Sequence, residues 1–439
     1  LARHFQAAGL AEKAVGYLRM AGEKAVRSCA NLEAITLFSE ALALLKTLPD
    51  TPEHIQQELS LQIALGNVLL ATKGFAAPDV EQAFGRAREL CGRVGESLQL
   101  FPVLHGLFRY YLVRAELQTT RELGEQVMRL TQCQSDPSLC LPAELNLGMT
   151  SFFMGEFVPA RVHFDQCSTL YDPQHQQAYL IQFGQDPMVT GLATSALNLW
   201  HLGYPDQALK KSNQAVTLAQ ELSHPFSLAI ALSYAAWLHQ LRRGANATRE
   251  HSKASIAFCT DHGFAFWGAM AEVLEGWALV EQGKEETGVG QMRQGLADWR
   301  ATGSELTAPY FLALLAEAYG EMGQADRGIA ALIEALEAVD KSKERNYEAE
   351  LYRVKGELLL RQGEASEAET CFRQALDVAR RQGSKSLELR AAMSLSRLWK
   401  DQQRKEEARQ GLVEIYDRFS EGFDTPDLCE AMALLEALA

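Results

Sequence analysis

From Tyr347 to Gln362, the residues Leu351, Val354, Leu358 and Leu359 recur at helical spacing, which predicts a helix with one apolar face. Gly363 follows. A glycine can take the left-handed conformation that ends a helix without a Cβ clash. Glu364 to Gln382 repeats the pattern, with Ala368, Phe372, Ala375 and Val378 on one face and Gly383 closing it. The segment predicts a helical hairpin. Gly356 and Ala368 are small where the two helices must approach closely, and Phe372 fills the gap between units. Such a hairpin cannot bury its apolar face alone.

The pattern returns with a fixed period. Gly276, Ala316, Gly356 and Ser396 stand 40 residues apart (316−276, 356−316 and 396−356). Seven positions on come Gly283, Gly323, Gly363 and Gln403, and sixteen on come Met292, Leu332, Phe372 and Leu412. A period of this size marks a solenoid. The expected fold is therefore all-α, a right-handed α-solenoid of helix hairpins. The register runs back through Gly148, Gly155, Ala160, Phe164 and Cys167, then through Ala196, Gly203 and Ala208, and loosely through Ala235 and Ala247. Weaker copies surround Gly22 and Phe38, Gly66 and Phe84, and Gly106, for roughly ten hairpins in all. The expected organisation is a truncated first unit and a second unit in 1–50, irregular units in 51–170, and an inserted loop at 171–191. Regular units follow in 192–423 and a capping helix in 424–439. Leu1 falls inside an apparent helix, so the start reads as a cut from something longer, and the capping helix near Ala439 reads as a natural C-terminus.

The 439 residues exceed what one compact core usually holds, but a solenoid buries each unit on its neighbours. Hydrophobic content of 47% fits a folded chain, and a net charge of −14 argues against a general grip on nucleic acid or an anionic membrane. No apolar run is long enough to span a bilayer. The cysteines include no CxxC pair, which suits neither zinc nor a disulfide framework. Buried reduced thiols, a cytoplasmic location, no metal and no cofactor are the expectation. The sequence contains no GxxxxGK[ST] phosphate loop and no cyclase or hydrolase motif, so no catalysis is expected of this segment.

Leu147-Gly148, Gly155, Ala160, Phe164, Cys167 and Pro173 resemble the tetratricopeptide repeat, whose usual period is about 34 residues. Repeats this long resemble the C-terminal sensor regions of bacterial STAND signalling ATPases, the class of the MalT-like regulators. The stretches Leu44–Pro49, Ala71–Pro78, Gly203–Ala208, Glu221–Pro225 and Glu421–Asp424 resemble the repeat region of bacterial proteins that fuse an adenylate/guanylate cyclase or kinase domain to a predicted ATPase. The resemblance implies a binding surface that reports to an engine elsewhere. It also implies a concave face on the first helix of each unit, to which Phe152, Phe153, Trp200, His201, His239, Gln240 and Trp277 belong. An aromatic groove with a few polar handles suits a peptide or partner helix. The competing reading packs these rings between helices.

The same register gives a basic stripe of Arg353, Arg361, Arg390, Arg397 and Lys400, fit for an acidic segment unless Glu350 and Glu357 already pair with it. The inserted segment carries Asp172, His175, Gln185 and Asp186, expected to shape one wall of the groove. The alternative there is that both aspartates cap helices and His175 is exposed. Ser223-His224-Pro225 reads as a helix junction with Pro225 starting the next helix. The function expected is recognition of a protein or peptide, or of upstream domains of the same chain. The alternatives are a stand-alone scaffold and the binding of a small inducer.

Overall fold

The computed structural model describes residues 1–28, 30–94, 99–133 and 139–439. Among them the regular structure is helical throughout. The elements are α1 (Ala2–Ala7), α2 (Ala11–Arg27), α3 (Asn31–Leu45), α4 (Pro52–Lys73), α5 (Pro78–Val94), α6 (Leu100–Val113), α7 (Leu117–Cys133), α8 (Cys140–Phe153) and α9 (Phe157–Leu170). A 3-10 turn, Pro173–His175, leads into α10 (Gln176–Phe183), α11 (Pro187–His201), α12 (Pro205–Leu222), α13 (Pro225–Leu241), α14 (Ala245–His262), α15 (Ala265–Glu281) and α16 (Glu285–Ala301). The chain ends with α17 (Ala308–Glu321), α18 (Ala325–Ser342), α19 (Glu348–Arg361), α20 (Ala365–Gln382), α21 (Lys385–Asp401), α22 (Lys405–Tyr416) and α23 (Pro426–Leu438). The helices pair as hairpins: α2/α3, α4/α5, α6/α7, α8/α9, α11/α12, α13/α14, α15/α16, α17/α18, α19/α20 and α21/α22, with α23 packed on the last two.

Several hairpins close over a missing side chain. A Cβ added at Gly66 would stand 2.7 Å from Phe84, at Gly148 2.8 Å from Phe164, at Gly276 2.6 Å from Met292 and at Gly356 2.5 Å from Phe372. The last three are the pairs sixteen residues apart in the sequence pattern, and Gly66 and Phe84 are eighteen apart. In the eight hairpins from α6/α7 onward the turn places one residue in the left-handed region: Ala115, Gly155, Gly203, Arg243, Gly283, Gly323, Gly363 and Gln403. The spacing is 40 throughout, except that 203−155 is 48. The excess of eight equals the length of α10, which has eight residues.

That excess segment was expected to be a loop, and the structure makes it a turn and a helix. Asp172 Oδ1 accepts from the Gln174 backbone N–H at 2.9 Å, and Pro173 opens the turn. Gly184 in the left-handed conformation stops α10. A second expectation also changes. The boundary between a truncated first unit and a second unit falls inside α2, a continuous helix in which Ala14, Leu18 and Gly22 all face inward. The expected thiol at Cys29 lies outside the described residues, as does the side chain of Cys133.

The superhelix winds tightly enough that its coils touch. The Glu305 and Leu306 N–H groups both donate to the Val113 carbonyl at 2.9 Å, and those of Arg345 and Asn346 donate to the Phe153 carbonyl at 2.8 and 3.2 Å. Both contacts span 192 residues (305−113 and 345−153), which include the eight of α10. Further along, Ser386 donates to the Trp200 carbonyl, and Arg390 to the Leu241 carbonyl at 2.6 Å. The acceptors end α6, α8, α11 and α13, where a helix has carbonyls without intrahelical partners. Two loops and the start of α21 in the next coil satisfy them, so the first helices of the units line a narrow interior. No helix among the described residues is long and apolar enough to cross a membrane.

Candidate ligand-binding interior

The interior has two parts of opposite character. The first is a cavity of about 60 Å³ enclosed chiefly by aromatic rings: Phe75, Phe108, Phe153, Tyr234, Trp237, Phe266, Trp267 and Trp299. Phe75 sits edge-on to Phe266 at 5.0 Å and to Trp267 at 6.1 Å, and Trp299 packs on Phe266 at 4.2 Å. Among these rings α6 inserts His105 and Arg109, both buried. Arg109 donates to the Phe183 carbonyl at 2.7 Å and to Gln185 Oε1 at 3.1 Å, and lies 4.9 Å from the centre of the Phe75 ring. Burial pulls its guanidinium down to about 9. Burial, helped by Arg109, holds His105 down to about 3, so its imidazole is neutral near pH 7.

The second part is a charged cleft of about 300 Å³ towards the C-terminal end of the interior. It is crossed by α13, α15, α17, α19, α21 and α23. Its wall carries seven carboxylates (Glu281, Glu317, Glu321, Glu350, Glu357, Asp427 and Glu430) and five arginines (Arg243, Arg353, Arg361, Arg390 and Arg397). Arg353 reaches Glu317 at 2.6 Å and Glu350 at 2.9 Å. Arg390 reaches Glu350 at 3.2 Å and Asp427 at 2.9 Å. Arg397 pairs with Glu430 at 3.0 Å, and Arg361 pairs with Glu321. Burial works against ionisation of Glu350, but Arg353 and Arg390 together hold its carboxyl below the usual range. Burial raises Glu317, with Arg353 opposing.

The expected basic stripe is therefore not a free positive surface. Arg353, Arg361, Arg390 and Arg397 do line one cleft, yet each already has a carboxylate, and carboxylates outnumber arginines there seven to five. Lys400 stands outside that lining, half-buried. The reason is the register: Glu350 is three residues before Arg353 on one helix face, and Glu317 comes from the neighbouring unit.

The expected aromatic groove is divided. Phe153 lines the aromatic cavity, whereas Gln240 and Trp277 line the charged cleft. Phe152, Trp200 and His201 are core residues. Phe152 meets Phe153 at 5.1 Å and His201 at 5.8 Å, and His201 stacks on Phe157 at 4.2 Å. Trp200 lies under the Arg390 guanidinium at 4.9 Å, sealed by the next coil. His239 stacks on His251 at 4.9 Å, between α13 and α14 and away from both chambers. Gln240 Oε1 accepts from the Tyr310 hydroxyl at 2.7 Å. These rings were expected to face an open groove, but the tight coil closes over most of them.

Of the inserted segment, Gln185 reaches the aromatic cavity and bridges Arg109 and Thr190. Asp186 is fully buried and caps α11, accepting from the Met188 and Val189 N–H groups at 2.8 and 3.3 Å. Burial raises its carboxyl above the usual value. His175 is exposed, Asp172 is half-buried, and the two face one another at 3.6 Å. Among the described residues no cluster of His, Cys, Asp and Glu has the arrangement of a metal site. At the other junction, His224 caps α13 through its Nδ1 at 3.3 Å from the Ser227 N–H.

Register arguments passed over His105, Arg109 and Asn146. The signal was present as a histidine and an arginine inside Leu100–Val113, a helix otherwise nearly all apolar. A polar residue in such a helix is buried whichever way it faces.

The tetratricopeptide-repeat family profile matches residues 310–381, which correspond to the hairpins α17/α18 and α19/α20. An uncharacterised protein of Rhizobium meliloti is 24% identical over 402 residues, covering 91% of this chain and 39% of that protein. A Rap protein solved in complex with Competence and Sporulation Factor aligns with a TM-score of 0.52 at 12% identity, over 98% of this chain and 100% of that one. A STAND protein with a tetratricopeptide-repeat sensor from Pyrococcus horikoshii aligns at a TM-score of 0.44 and 11% identity, over 88% of this chain and 55% of that one. The family match and the Rap superposition agree with the hairpins described above: the chain is an all-α solenoid of tetratricopeptide type.

Proposed function

We propose that this solenoid is the ligand-sensing or regulatory arm of a larger bacterial signalling ATPase or cyclase, and that its charged cleft receives a peptide or protein segment bearing basic side chains. The observation that carries the reading is the charge of that cleft. Glu281 enters no ion pair among the described residues, and the surplus of carboxylates favours a cation brought by the occupant. Glu350 Oε2 and Arg353 Nε, one acceptor and one donor, have no hydrogen-bond partner at its wall. A peptide backbone supplies the complement to both. The role as an arm draws on the sequence resemblance, and on the Rhizobium protein, of which the matched region is only 39%.

Titration with a lysine-rich peptide pool and a matched glutamate-rich pool tests the cleft. The lysine-rich pool binds, the affinity falls with added salt, and Glu281→Lys combined with Glu321→Lys removes it. Preference for the glutamate-rich pool would reject the charge argument. Nucleotide turnover by the longer natural protein, with and without the bound peptide, tests the arm. Unchanged turnover at saturation leaves a stand-alone scaffold as the better reading.

A further inference from the structure

The aromatic cavity is chemically unlike the cleft and holds a charge that nothing answers. Arg109 is fully enclosed, and its hydrogen bonds go to two neutral oxygens, of Phe183 and Gln185. Among the described residues no carboxylate pairs with it. A buried unpaired cation is costly and strongly favours an anion that can reach it. The Phe75 ring face offsets only part of that cost.

The surrounding polar atoms point the same way. Trp237 Nε1 and Trp267 Nε1 are buried at the cavity and have no hydrogen-bond partner, and Asn146 Nδ2 has only the His105 ring beside it. All three are N–H donors. A wall rich in unmet donors and one unmet positive charge is matched by an acceptor-only group, and a carboxylate is such a group.

Size narrows the class. A cavity of about 60 Å³ is well above the ~10–15 Å³ that one water needs and well below the ~150 Å³ of a cavity that takes benzene. The remaining wall includes Leu145, Ile230 and Met270, which suit an alkyl stem. We propose that this cavity binds a short-chain monocarboxylate, with the carboxylate on Arg109 and the stem against Leu145, Ile230 and Met270. The proposal stands apart from the cleft and its peptide, and would survive failure of that reading.

Thermal melting and tryptophan fluorescence of the intact chain test it, since Trp237, Trp267 and Trp299 surround the cavity. The probes are sodium propionate and its uncharged isostere propionamide, the latter with sodium chloride at equal ionic strength. Propionate raises the melting temperature in proportion to the logarithm of its concentration and changes the fluorescence, whereas propionamide does neither. Arg109→Gln abolishes the response. Should Arg109→Gln fail to fold by circular dichroism, Ile230→Phe fills the cavity while keeping the charge, and it also abolishes the response. Equal effects of propionate and propionamide, no effect of propionate on the parent chain, or a response unchanged in either folded variant overturns the proposal.

Discussion

The ring of Phe372 occupies the space that Gly356 leaves empty: a Cβ on Gly356 would fall 2.5 Å from Phe372 Cε1, 2.8 Å from Cδ1 and 3.0 Å from Cζ. Phe372 is fully buried on α20 and cannot retreat without disturbing the next unit. Gly356→Leu therefore overpacks the α19/α20 interface and costs roughly 1–3 kcal/mol or more. Chemical denaturation of the single variants and of Gly356→Leu with Phe372→Ala reads the coupling. The smaller ring partner relieves part of the penalty, so the cycle is non-additive. Strict additivity would show that the two positions do not share the space.

Arg390 ties three elements together, reaching Glu350 on α19, Asp427 on α23 and the Leu241 carbonyl at the end of α13. It also covers Trp200. Arg390→Ala leaves Glu350 with only Arg353 in a buried site, which removes about 3–5 kcal/mol of stability. Arg390→Lys restores the charge but not the fork that meets two carboxylates and a carbonyl, so it recovers only part. Urea melts of the two variants check this. A variant with alanine as stable as the parent would mean that water replaces the arginine at no cost.

The repeat unit was legible because the packing is local. Gly356 with Phe372, and Gly363 at the turn, lie within one hairpin, and the same chemistry recurs every 40 residues. The inner face was less legible because curvature is a property of the whole stack. Trp200 and Phe153 occupy concave positions, and their burial follows from contacts with residues 186 to 192 positions later (386−200 and 345−153). Ala115 and Arg243 at left-handed turns weakened the pattern of two units, since neither is the residue a turn search expects there. Arg109 was obscured for the opposite reason, as it breaks no repeat and its unpaired charge is a fact about neighbours distant in sequence.

His201 makes the coil-to-coil seam sensitive to acid. Its Nδ1 lies 3.2 Å from Ser384 Oγ on the next coil, and burial, with Arg390 nearby, depresses the imidazole to about 3. An unfolded histidine titrates near 6.5, so between about 6.5 and 3 the unfolded chain binds more protons than the folded one. The stability supplied by neutral His201 is complete above that range and is lost as pH falls through it, by up to about 1.4 kcal/mol per pH unit. Guanidinium denaturation at steps from pH 7 to pH 4 shows a shallower decline for His201→Gln than for the parent. An unaltered slope would place the acid sensitivity at His105, His224 or His239, which burial also lowers.

Glu344 gives the same seam the opposite dependence at higher pH. Its carboxylate is buried between α18 and α19 and receives the Thr307 N–H at 2.9 and 3.1 Å, next to the Leu306 N–H that holds Val113 of the neighbouring coil. Burial raises the carboxyl to about 8, with the Thr307 bond opposing and Glu305 adding to the rise. Unfolded glutamate titrates near ~4.3, so across the window from there to about 8 the folded chain holds the extra proton. Stability accordingly falls as pH rises through that window and levels off above it. Glu344→Gln keeps an oxygen acceptor for Thr307 and removes the titration. At pH 9 the variant is the more stable protein, and at pH 5 the advantage disappears. Hydrogen exchange at the Glu305 and Leu306 amides separates this from a general effect. In the parent their protection weakens between pH 6 and pH 9 after correction for intrinsic exchange, and in Glu344→Gln it holds. Equal loss of protection in both proteins would mean that the seam opens for a reason other than the ionisation of Glu344.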